Sequence, residues 1–417
     1  MDAKEAKARI KEFLADKQQV SLEIELNPGV TDRKICPRSE LRYYFNWLLY
    51  QILRKVPPSN IKNALFRMTG VKLGKEICLP MDVIFDYRYP DLIEVGDDTL
   101  IGGFTQIFSH LIREPYREED KKHYYEKSRY ANVDKLNRSN DDTKRILKLG
   151  RVKIGKRVLV ASLADFEPGV HVGDDAIIGT ANFVNQDVPA LAFVGSRPSK
   201  LIKMLDKSWN YIGRSNTDEY YADQKRLTSE FLKDKTQNHL PLTYRGKRGN
   251  AGNDWYRMRP VWRIWLTSAW IEFLAFWPAC WLKNFCYRLT GAIIGKGVKI
   301  KQFAYIDHIN PELVTIKSGS VLEKHCYVGA HDFTNNMSAL GRPVIGPRAH
   351  LKEHAMIQCN VTIGEDSIVE PWSFVNKDVP DHTIVKGCPA KPLIYAHPEQ
   401  AAHSHEHNSD KETDKGQ

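Results

Sequence analysis

The stretch KNFCYRLTGAIIGKG, residues 283–297, has an earlier counterpart in KNALFRMTGVKLGKE, residues 62–76. Both stretches keep the Lys-Asn, Thr-Gly and Gly-Lys pairs, and they lie 221 positions apart. Extending the comparison without a gap places Asp86 against Asp307 and His110 against His331. A chain that repeats such a phrase in register is a tandem duplication, and repeats decide how everything else is interpreted.

The match resumes after an insertion in the first half. VNQDVP at residues 184–189 aligns with VNKDVP at residues 375–380, an offset of 191, so the first half carries 30 additional residues after His110. The two halves therefore share one fold and differ in the length of one loop.

Within each half, aliphatic or aromatic residues recur at every sixth position, and small residues such as Ala176, Ser320 and Ala355 often follow four places later. The recurring residues are Leu73, Leu79, Phe85, Val95, Ile101, Ile107, Ile154, Val160, Phe166, Val172, Ile178 and Val184, then Ile294, Ile300, Ile306, Ile316, Leu322, Val328, Ile345, Leu351, Ile357, Ile363, Val369 and Val375. Neither a helix nor a simple alternating strand keeps this period.

The six-residue period predicts a flat-sided coil in which each hexad is a short strand and a corner. The sixth-position residue points inward, and stacked coils bury a continuous column that no single coil could bury. Gly, Asp and Asn in segments such as VGDD suit tight corners, where a positive φ or a side chain bonded to its own backbone is favoured. A β-sandwich fits poorly, because its strands need longer spacing and hairpin turns.

The hexads, the phrase NFCYRLTGAIIGKGV and the closing VNKDVPDHTIVKGCPAK resemble the hexapeptide-repeat acyltransferases over most of the chain, roughly residues 62–203 and 283–395. The resemblance implies a mainly β fold of two left-handed parallel β-helices, a known exception to right-handed crossovers. It also implies transfer of an acyl group from acetyl-CoA or another acyl-CoA to a hydroxyl or amine. By family analogy the acceptor is a small molecule, a glycan or a glycan precursor.

Both halves interrupt their hexads just after a histidine, His110 or His331. In the resembling family, the histidine before the extruded loop is the general base, and an unperturbed pKa near neutrality suits that role. An upstream acid orients the acceptor in the sugar acetyltransferases, and Asp86 and Asp307 occupy similar positions. A corner histidine with a satisfied hydrogen bond is the structural alternative.

The family's closing motif predicts the coenzyme site. It survives in the second half as Gly387, Pro389, Ala390 and Lys391, and Lys391 could pair with a phosphate. The first half keeps Lys200 but has Ser199 in place of the alanine, which leaves coenzyme binding there in question.

Two other functions fit part of the pattern. His331 and His350 are nineteen positions apart, close to one three-hexad turn, and His325 and His354 lie nearby. Three stacked imidazoles would form a zinc site like that of a γ-type carbonic anhydrase. The first half lacks such ligands, so acyl transfer without a metal is favoured, and a non-catalytic binding scaffold is the second alternative.

Two aromatic segments precede the repeated phrase, and the one in the second half contains five of the nine Trp residues. Residues 264–282 hold one charge, and the flanking Arg257, Arg259, Arg263 and Lys283 favour an interfacial helix that contacts an anionic membrane through residues 261–283. Each aromatic segment is also expected to cap the open end of its β-helix.

Composition limits the compartment and the class of partner. The chain of 417 residues has a formal charge of +10 and seven Cys, an odd number without a CxxC pair. We therefore expect a reducing cytoplasm and an anionic partner other than nucleic acid. By family analogy we also expect a homo-oligomer, with a trimer favoured. The expected organisation is a helical arm (1–40), an aromatic helix (41–66), a first β-helix (67–203, with a loop insertion at 113–150), a polar linker (204–260), an aromatic helix (261–290), a second β-helix (291–396) and a disordered His-rich tail (397–417).

Overall fold

The computed structural model describes residues 1–113, 145–206, 218–243, 259–332 and 337–395. The chain divides into two compact units, Met1–Tyr211 and Ile212–Gln417. The greater part of the 113–150 insertion and the tail predicted to be disordered lie outside the described residues.

Each unit is built around a three-sided parallel β-helix whose strands are two or three residues long until the last coil. In the first unit the three faces hold these strands: Lys72–Leu73, Ile93–Val95, Val152–Ile154 and His171–Val172; Leu100–Ile101, Leu159–Val160, Ile177–Ile178 and Ala192–Gly195, with Lys200–Met204 added antiparallel; and Ile84–Phe85, Gln106–Ile107, Asp165–Phe166 and Phe183–Val184.

The second unit repeats this arrangement. Its faces hold these strands: Ile293–Ile294, Thr315–Ile316, Val344–Ile345 and Thr362–Ile363; Lys299–Ile300, Val321–Leu322, His350–Leu351, Ile368–Val369 and Thr383–Gly387, with Ala390–Tyr395 added antiparallel; and Tyr305–Ile306, Tyr327–Val328, Met356–Ile357 and Phe374–Val375. A short 3-10 turn, Pro90–Leu92 or Pro311–Leu313, interrupts each first coil.

The predicted inward column is confirmed. Every sixth-position residue is buried, from 0% exposure at Ile101 and Leu351 to 9% at Leu73, and the small residues Ala176, Ser320 and Ala355 are fully buried. Burial of this apolar column, at roughly 25 cal/mol per Å², is the main stabilising contribution to each unit.

The corners confirm the expected positive φ for Asp, Asn and Gly, as at Asp98, Asn360 and Gly319, and correct only the role of the glycine in VGDD. The positive φ falls three residues after the inward residue, where Asp98, Arg157 and His325 stand, and the glycine of VGDD does not adopt it. Gly96 is needed because the next coil approaches closely: a Cβ there would lie 2.7 Å from the carbonyl carbon of Gly155.

Within the described ranges, four helices of the first unit and three of the second accompany the β-helices. They are α1 (Ala3–Ala15), α2 (Asp32–Ile35), α3 (Glu40–Leu53), α4 (Asn60–Met68), α5 (Asp218–Lys233), α6 (Val261–Ala275) and α7 (Trp281–Arg288). Each aromatic segment, expected to be one helix, is two. Pro57, Pro58 and Pro278 lie at the breaks, where a missing amide donor and a fixed φ end a helix.

The repeated Lys-Asn phrase is the cap of the β-helix. In the first unit, Lys62 Nζ donates to the carbonyls of Val56, Leu79 and Pro80 at 2.7–2.8 Å, and Asn63 Nδ2 donates to that of Ile77 at 2.7 Å.

The second unit repeats three of these four contacts, and Arg67 and Arg288 add bonds to first-coil carbonyls in their own units. Lys283 Nζ donates to the carbonyls of Trp277 and Lys301 at 2.9 and 3.1 Å, and Asn284 Nδ2 donates to that of Val298 at 2.7 Å. The capping role predicted for both aromatic segments is confirmed, and the phrase is repeated because each first coil exposes the same carbonyls.

Of the four cations expected to flank an interfacial helix, the three that the structure describes bind groups within the protein. Lys283 is fully buried, and Arg259 and Arg263 both bind Glu312, at 2.5 and 2.9 Å. Arg257 lies outside the described residues. The charge at this segment therefore stabilises the fold, and the exposed surface there is apolar.

A three-stranded antiparallel sheet beside each β-helix extends the duplication beyond the predicted boundaries. It contains Ser21–Leu26, Arg145–Gly150 and His110–Arg113 in the first unit, and His239–Thr243, Met337–Gly341 and His331–Asp332 in the second. Part of the segment expected to be a linker is therefore folded, as α5 and the strand that follows it.

A matched arginine attaches each preceding helix. Arg151 donates to the carbonyls of Phe13, Asp16 and Gln19, and Arg342 donates to those of Phe231, Asp234 and Gln237. The guanidinium also lies over a ring, Phe13 at 5.1 Å or Phe231 at 4.9 Å, which adds a cation–π contribution.

Candidate active site

His110 and His331 are the first residues of the strands that leave the coils. His110 pairs with Leu149 and His331 with Leu340, both buried, so the backbone beneath each imidazole is fixed by the antiparallel sheet. The two histidine side chains keep 20% and 18% of their surface exposed. Each imidazole is therefore held firmly and still reaches solvent.

A buried carboxylate lies under each imidazole. Asp307 Oδ2 is 2.5 Å from His331 Nδ1, and Asp86 Oδ2 makes the corresponding short contact to His110 Nδ1. The aspartates follow the strand one coil below, on the face that the histidine leaves. This contact places the proton on Nδ1 and leaves Nε2 as the acceptor nitrogen.

The aspartates are stabilised as anions by backbone amides. Asp307 accepts from the amides of Ile309, Asn310 and Ala330 at 2.7–2.9 Å, and Asp86 accepts likewise from Arg88, Tyr89, Ser109 and His110. Burial opposes ionisation, but the histidine and these amides outweigh it, so the pKa of each aspartate is lowered to about 2.

This geometry corrects the role expected for the two aspartates. They are 0–1% exposed, and both oxygens of each accept hydrogen bonds from the protein, so they orient the histidine and cannot contact an acceptor. In return, burial disfavours the imidazolium but the carboxylate outweighs it, and the pKa of both His110 and His331 lies above the usual 6.5.

The first unit places a second carboxylate near its histidine. Asp32 Oδ2, on helix α2, lies 3.8 Å from His110 Nε2 and 2.5 Å from Arg88 Nε. The Tyr89 ring also contacts the imidazole edge to face, with centroids 5.3 Å apart. No sequence signal pointed to Asp32, because helix α2 lies outside the aligned repeat.

The histidines considered for zinc are not brought together. His350 pairs with Val321 on a different face of the β-helix from His331. The residues that follow His331 form an antiparallel strand pair outside the coil, so nineteen positions do not complete one turn. Its Nε2 lies 3.0 Å from Glu323, and His325 stacks on His354 with centroids 4.8 Å apart. Among the described residues, no three His, Cys, Asp or Glu side chains form a metal-binding group.

The predicted coenzyme residues lie in the hairpin that ends each β-helix. Gly387 pairs with Ala390 at its tip beside Pro389, and Lys391 is exposed; in the first unit Lys200 is exposed in the same position. The hairpin of the second unit lies three coil steps above His331, about 14 Å at ~4.8 Å per step. The structure therefore does not join these residues to the imidazole directly.

None of the helices in the described part of the chain has both the length and the apolarity needed to cross a bilayer.

Known proteins similar to this chain include two bacterial proteins named as acetyltransferases. YvoF of Bacillus subtilis is 31% identical over 165 residues, which are 39% of this chain and 77% of YvoF. SAR0816 of Staphylococcus aureus is 27% identical over 146 residues, 33% of this chain and 91% of that protein. No family model matches the chain.

Two solved structures are also similar. The hexapeptide-repeat acetyltransferase VCA0836 of Vibrio cholerae, complexed with acetyl coenzyme A, shares 17% identity and covers 42% of this chain and 92% of its own, with a TM-score of 0.30. A galactoside acetyltransferase in complex with coenzyme A shares 18% identity and covers 42% and 86%, also with a TM-score of 0.30.

The match covers more than two thirds of YvoF at 31% identity, and both units of this chain consist of hexads stacked into three-sided coils. The chain belongs to the hexapeptide-repeat acetyltransferases and consists of two left-handed parallel β-helices in tandem.

Proposed function

We propose that this acetyltransferase uses His110 and His331 as general bases to move a short acyl group from an acyl-CoA, such as acetyl-CoA, to a hydroxyl or amine. The observation that carries the proposal is the matched histidine–aspartate contact at the coil interruption of both units. A partly exposed imidazole over a fully buried anion is suited to proton transfer and poorly explained as packing.

The chemistry follows from the orientation of the ring. Nε2 accepts the acceptor's proton as its oxygen or nitrogen attacks the thioester carbonyl, and Asp86 or Asp307 stabilises the imidazolium that forms. When the tetrahedral intermediate collapses, the C–S bond breaks and the imidazolium returns the proton to the leaving thiolate. Free coenzyme A and the acylated acceptor are the products.

The hairpin at the end of each β-helix is the proposed coenzyme contact. Lys391, or Lys200 in the first unit, can pair with a phosphate of the coenzyme, and Gly387, Pro389 and Ala390 shape the tip of the second hairpin. The elongated pantetheine arm can span the three coil steps that separate this hairpin from the histidine along the axis of the same β-helix. Glycans and their precursors are the proposed acceptors, and the proposed assembly is a homo-oligomer, with a trimer favoured.

Release of free thiol from acetyl-CoA, screened over sugars, amino sugars and hydroxylated amines, tests the proposed reaction. We expect acceptor-dependent thiol release by the purified chain, with no need for added metal. A chain that binds an acceptor and releases no thiol with any acyl-CoA would instead be a binding scaffold, the second function that the repeat allows.

We also propose that residues 261–283 contact a membrane surface peripherally. Helix α6 buries Ile264, Ile271 and Leu274, and residues 261–283 expose large apolar side chains on the other side. Exposed fractions are 69% for Trp262, 62% for Leu266, 60% for Phe276 and 77% for Trp281. A patch of this kind marks an interaction surface, and aromatic rings suit the headgroup region.

Replacing Trp262 and Trp281 by serine is expected to abolish flotation of the chain with liposomes containing anionic lipid. Since the nearby arginines are bound to Glu312, binding should depend mainly on apolar insertion and weaken only modestly at high salt. The exposed Lys299→Gln change is the control and should float normally. Loss of self-association without any effect on flotation would instead assign this face to contact between copies.

A further inference from the structure

A cavity of about 240 Å³ lies in the first unit between helix α3 and the first coil. Its wall combines guanidinium groups with aromatic rings and one buried amide, and its lining includes Arg38, Arg42, Asn46, Tyr87, Arg88 and Asp91. The proposed acyl transfer does not use this cavity, which is separated from His110 by the Arg88–Asp32 ion pair.

Asn46 gives the cavity an acceptor. The residue is 2% exposed, and its Nδ2 donates to the carbonyls of Thr69 and Tyr87 at 3.3 and 3.1 Å. These two carbonyls fix the orientation of the amide, because a reversed amide would face oxygen against oxygen. Its Oδ1 is buried and has no hydrogen-bond partner within the described protein, so it can accept a hydrogen bond from a ligand in the cavity.

Arg42 gives the cavity positive charge. Arg38 binds Asp91 at 2.6 Å and Arg88 binds Asp32 at 2.5 Å, whereas among the described residues no carboxylate lies within 4 Å of Arg42. The Nε of Arg38 is also buried without a hydrogen-bond partner. The cavity therefore offers guanidinium donors for an oxyanion beside an acceptor for a hydroxyl or amine.

At the equivalent positions of the second unit, the charged and polar groups bind one another. Glu312 stands where the first unit has Asp91, and its longer side chain reaches both Arg259 and Arg263. Thr267 stands in place of Asn46, and its hydroxyl donates to the carbonyl of His308 at 2.9 Å. In the second unit the arginine is therefore neutralised by Glu312 and the amide acceptor is absent. In the first unit Arg42 and Asn46 Oδ1 can still bind a ligand.

We propose that this cavity of the first unit binds a small organic oxyanion that also carries a hydroxyl or amine. The guanidinium of Arg42 binds the oxyanion, and Asn46 Oδ1 accepts from the hydroxyl or amine. This proposal goes beyond acyl transfer and does not depend on it.

Calorimetric titration of the full chain with glycerol 3-phosphate, glycerate and glycerol tests the proposal. We expect one of the two anions to bind one site per chain and glycerol not to bind, and the preferred anion identifies phosphate or carboxylate as the recognised group. Binding of glycerol as strongly as the anions, or no binding of any of the three, would overturn the proposal.

Three variants locate the site. Arg42→Gln should weaken anion binding at least tenfold, because a charge-assisted hydrogen bond is lost. Asp91→Glu should weaken it similarly by bringing a carboxylate to Arg42, as Glu312 does in the second unit, and Arg263→Gln should leave it unchanged. Equal binding by Arg42→Gln and Arg263→Gln, with native circular dichroism in both, would show that the anion binds elsewhere.

Discussion

Replacing both His110 and His331 by alanine is expected to lower acyl-transfer turnover by about 10²–10⁴-fold, the range typical of losing a general base. The loss should fall mainly on kcat, because Nε2 takes the acceptor's proton only as the transition state forms. The single variants divide the activity between the two units. The measurement is thiol release from acetyl-CoA with the best acceptor found in the screen.

A matched control separates catalysis from a general effect of removing imidazoles. His350→Ala removes a ring that lies 3.0 Å from Glu323, on a different face of the second β-helix from His331, and should leave turnover unchanged. Undiminished turnover in the His110→Ala, His331→Ala double variant, with a native circular dichroism spectrum, would exclude both histidines as bases.

The pH dependence gives these histidines a signature that packing residues would lack. Since the carboxylates hold the pKa of both histidines above 6.5, the neutral base forms only at higher pH, and kcat/KM should fall as pH decreases through that raised pKa. Asp307→Asn removes the anion, so the remaining activity of the second unit should retain its rate to lower pH. It should also be slower, because an amide no longer fixes the proton on Nδ1.

The hexads could be predicted because they are local: one side chain in six points inward whatever lies elsewhere in the chain. The repeat alignment identified Asp86 and Asp307 as site residues, but the sequence predicted that they contact the acceptor and not the histidine. Only the vertical stacking of Asp86 under the strand before His110 shows that the carboxylate meets the imidazole. A period read along the chain contains no information on which corner residues approach each other between coils.

The antiparallel sheets were missed because their signal is short and lies at another offset. EFLADKQQ at residues 12–19 matches EFLKDKTQ at residues 230–237 with an offset of 218, whereas the hexads align at 221 and 191. A search that allowed this shift would have placed α1 and α5 in equivalent positions. The carbonyls that accept from Arg151 and Arg342 lie within these two stretches.

Replacing Lys62 by methionine is expected to destabilise the first unit by about 3 kcal/mol, because one buried and two partly buried carbonyls would lose their donor. For a unit of this size the loss corresponds to a Tm lower by roughly 6–12 °C. Thermal unfolding followed by circular dichroism measures the shift. Hydrogen exchange across residues 62–80 should show that protection is lost first at the cap.

Lys72→Met is the matched control, because this nearby lysine is exposed, and it should leave the Tm within about 2 °C. Burial lowers the pKa of Lys62 from 10.5 to about 7, so between these values the unfolded chain binds more protons and wild-type stability should rise with pH. The difference between wild type and Lys62→Met should therefore widen from pH 7 towards pH 10. Equal Tm values for Lys62→Met and Lys72→Met across this range would mean that the repeated lysine does not hold the cap, and the duplicated phrase would then need another cause.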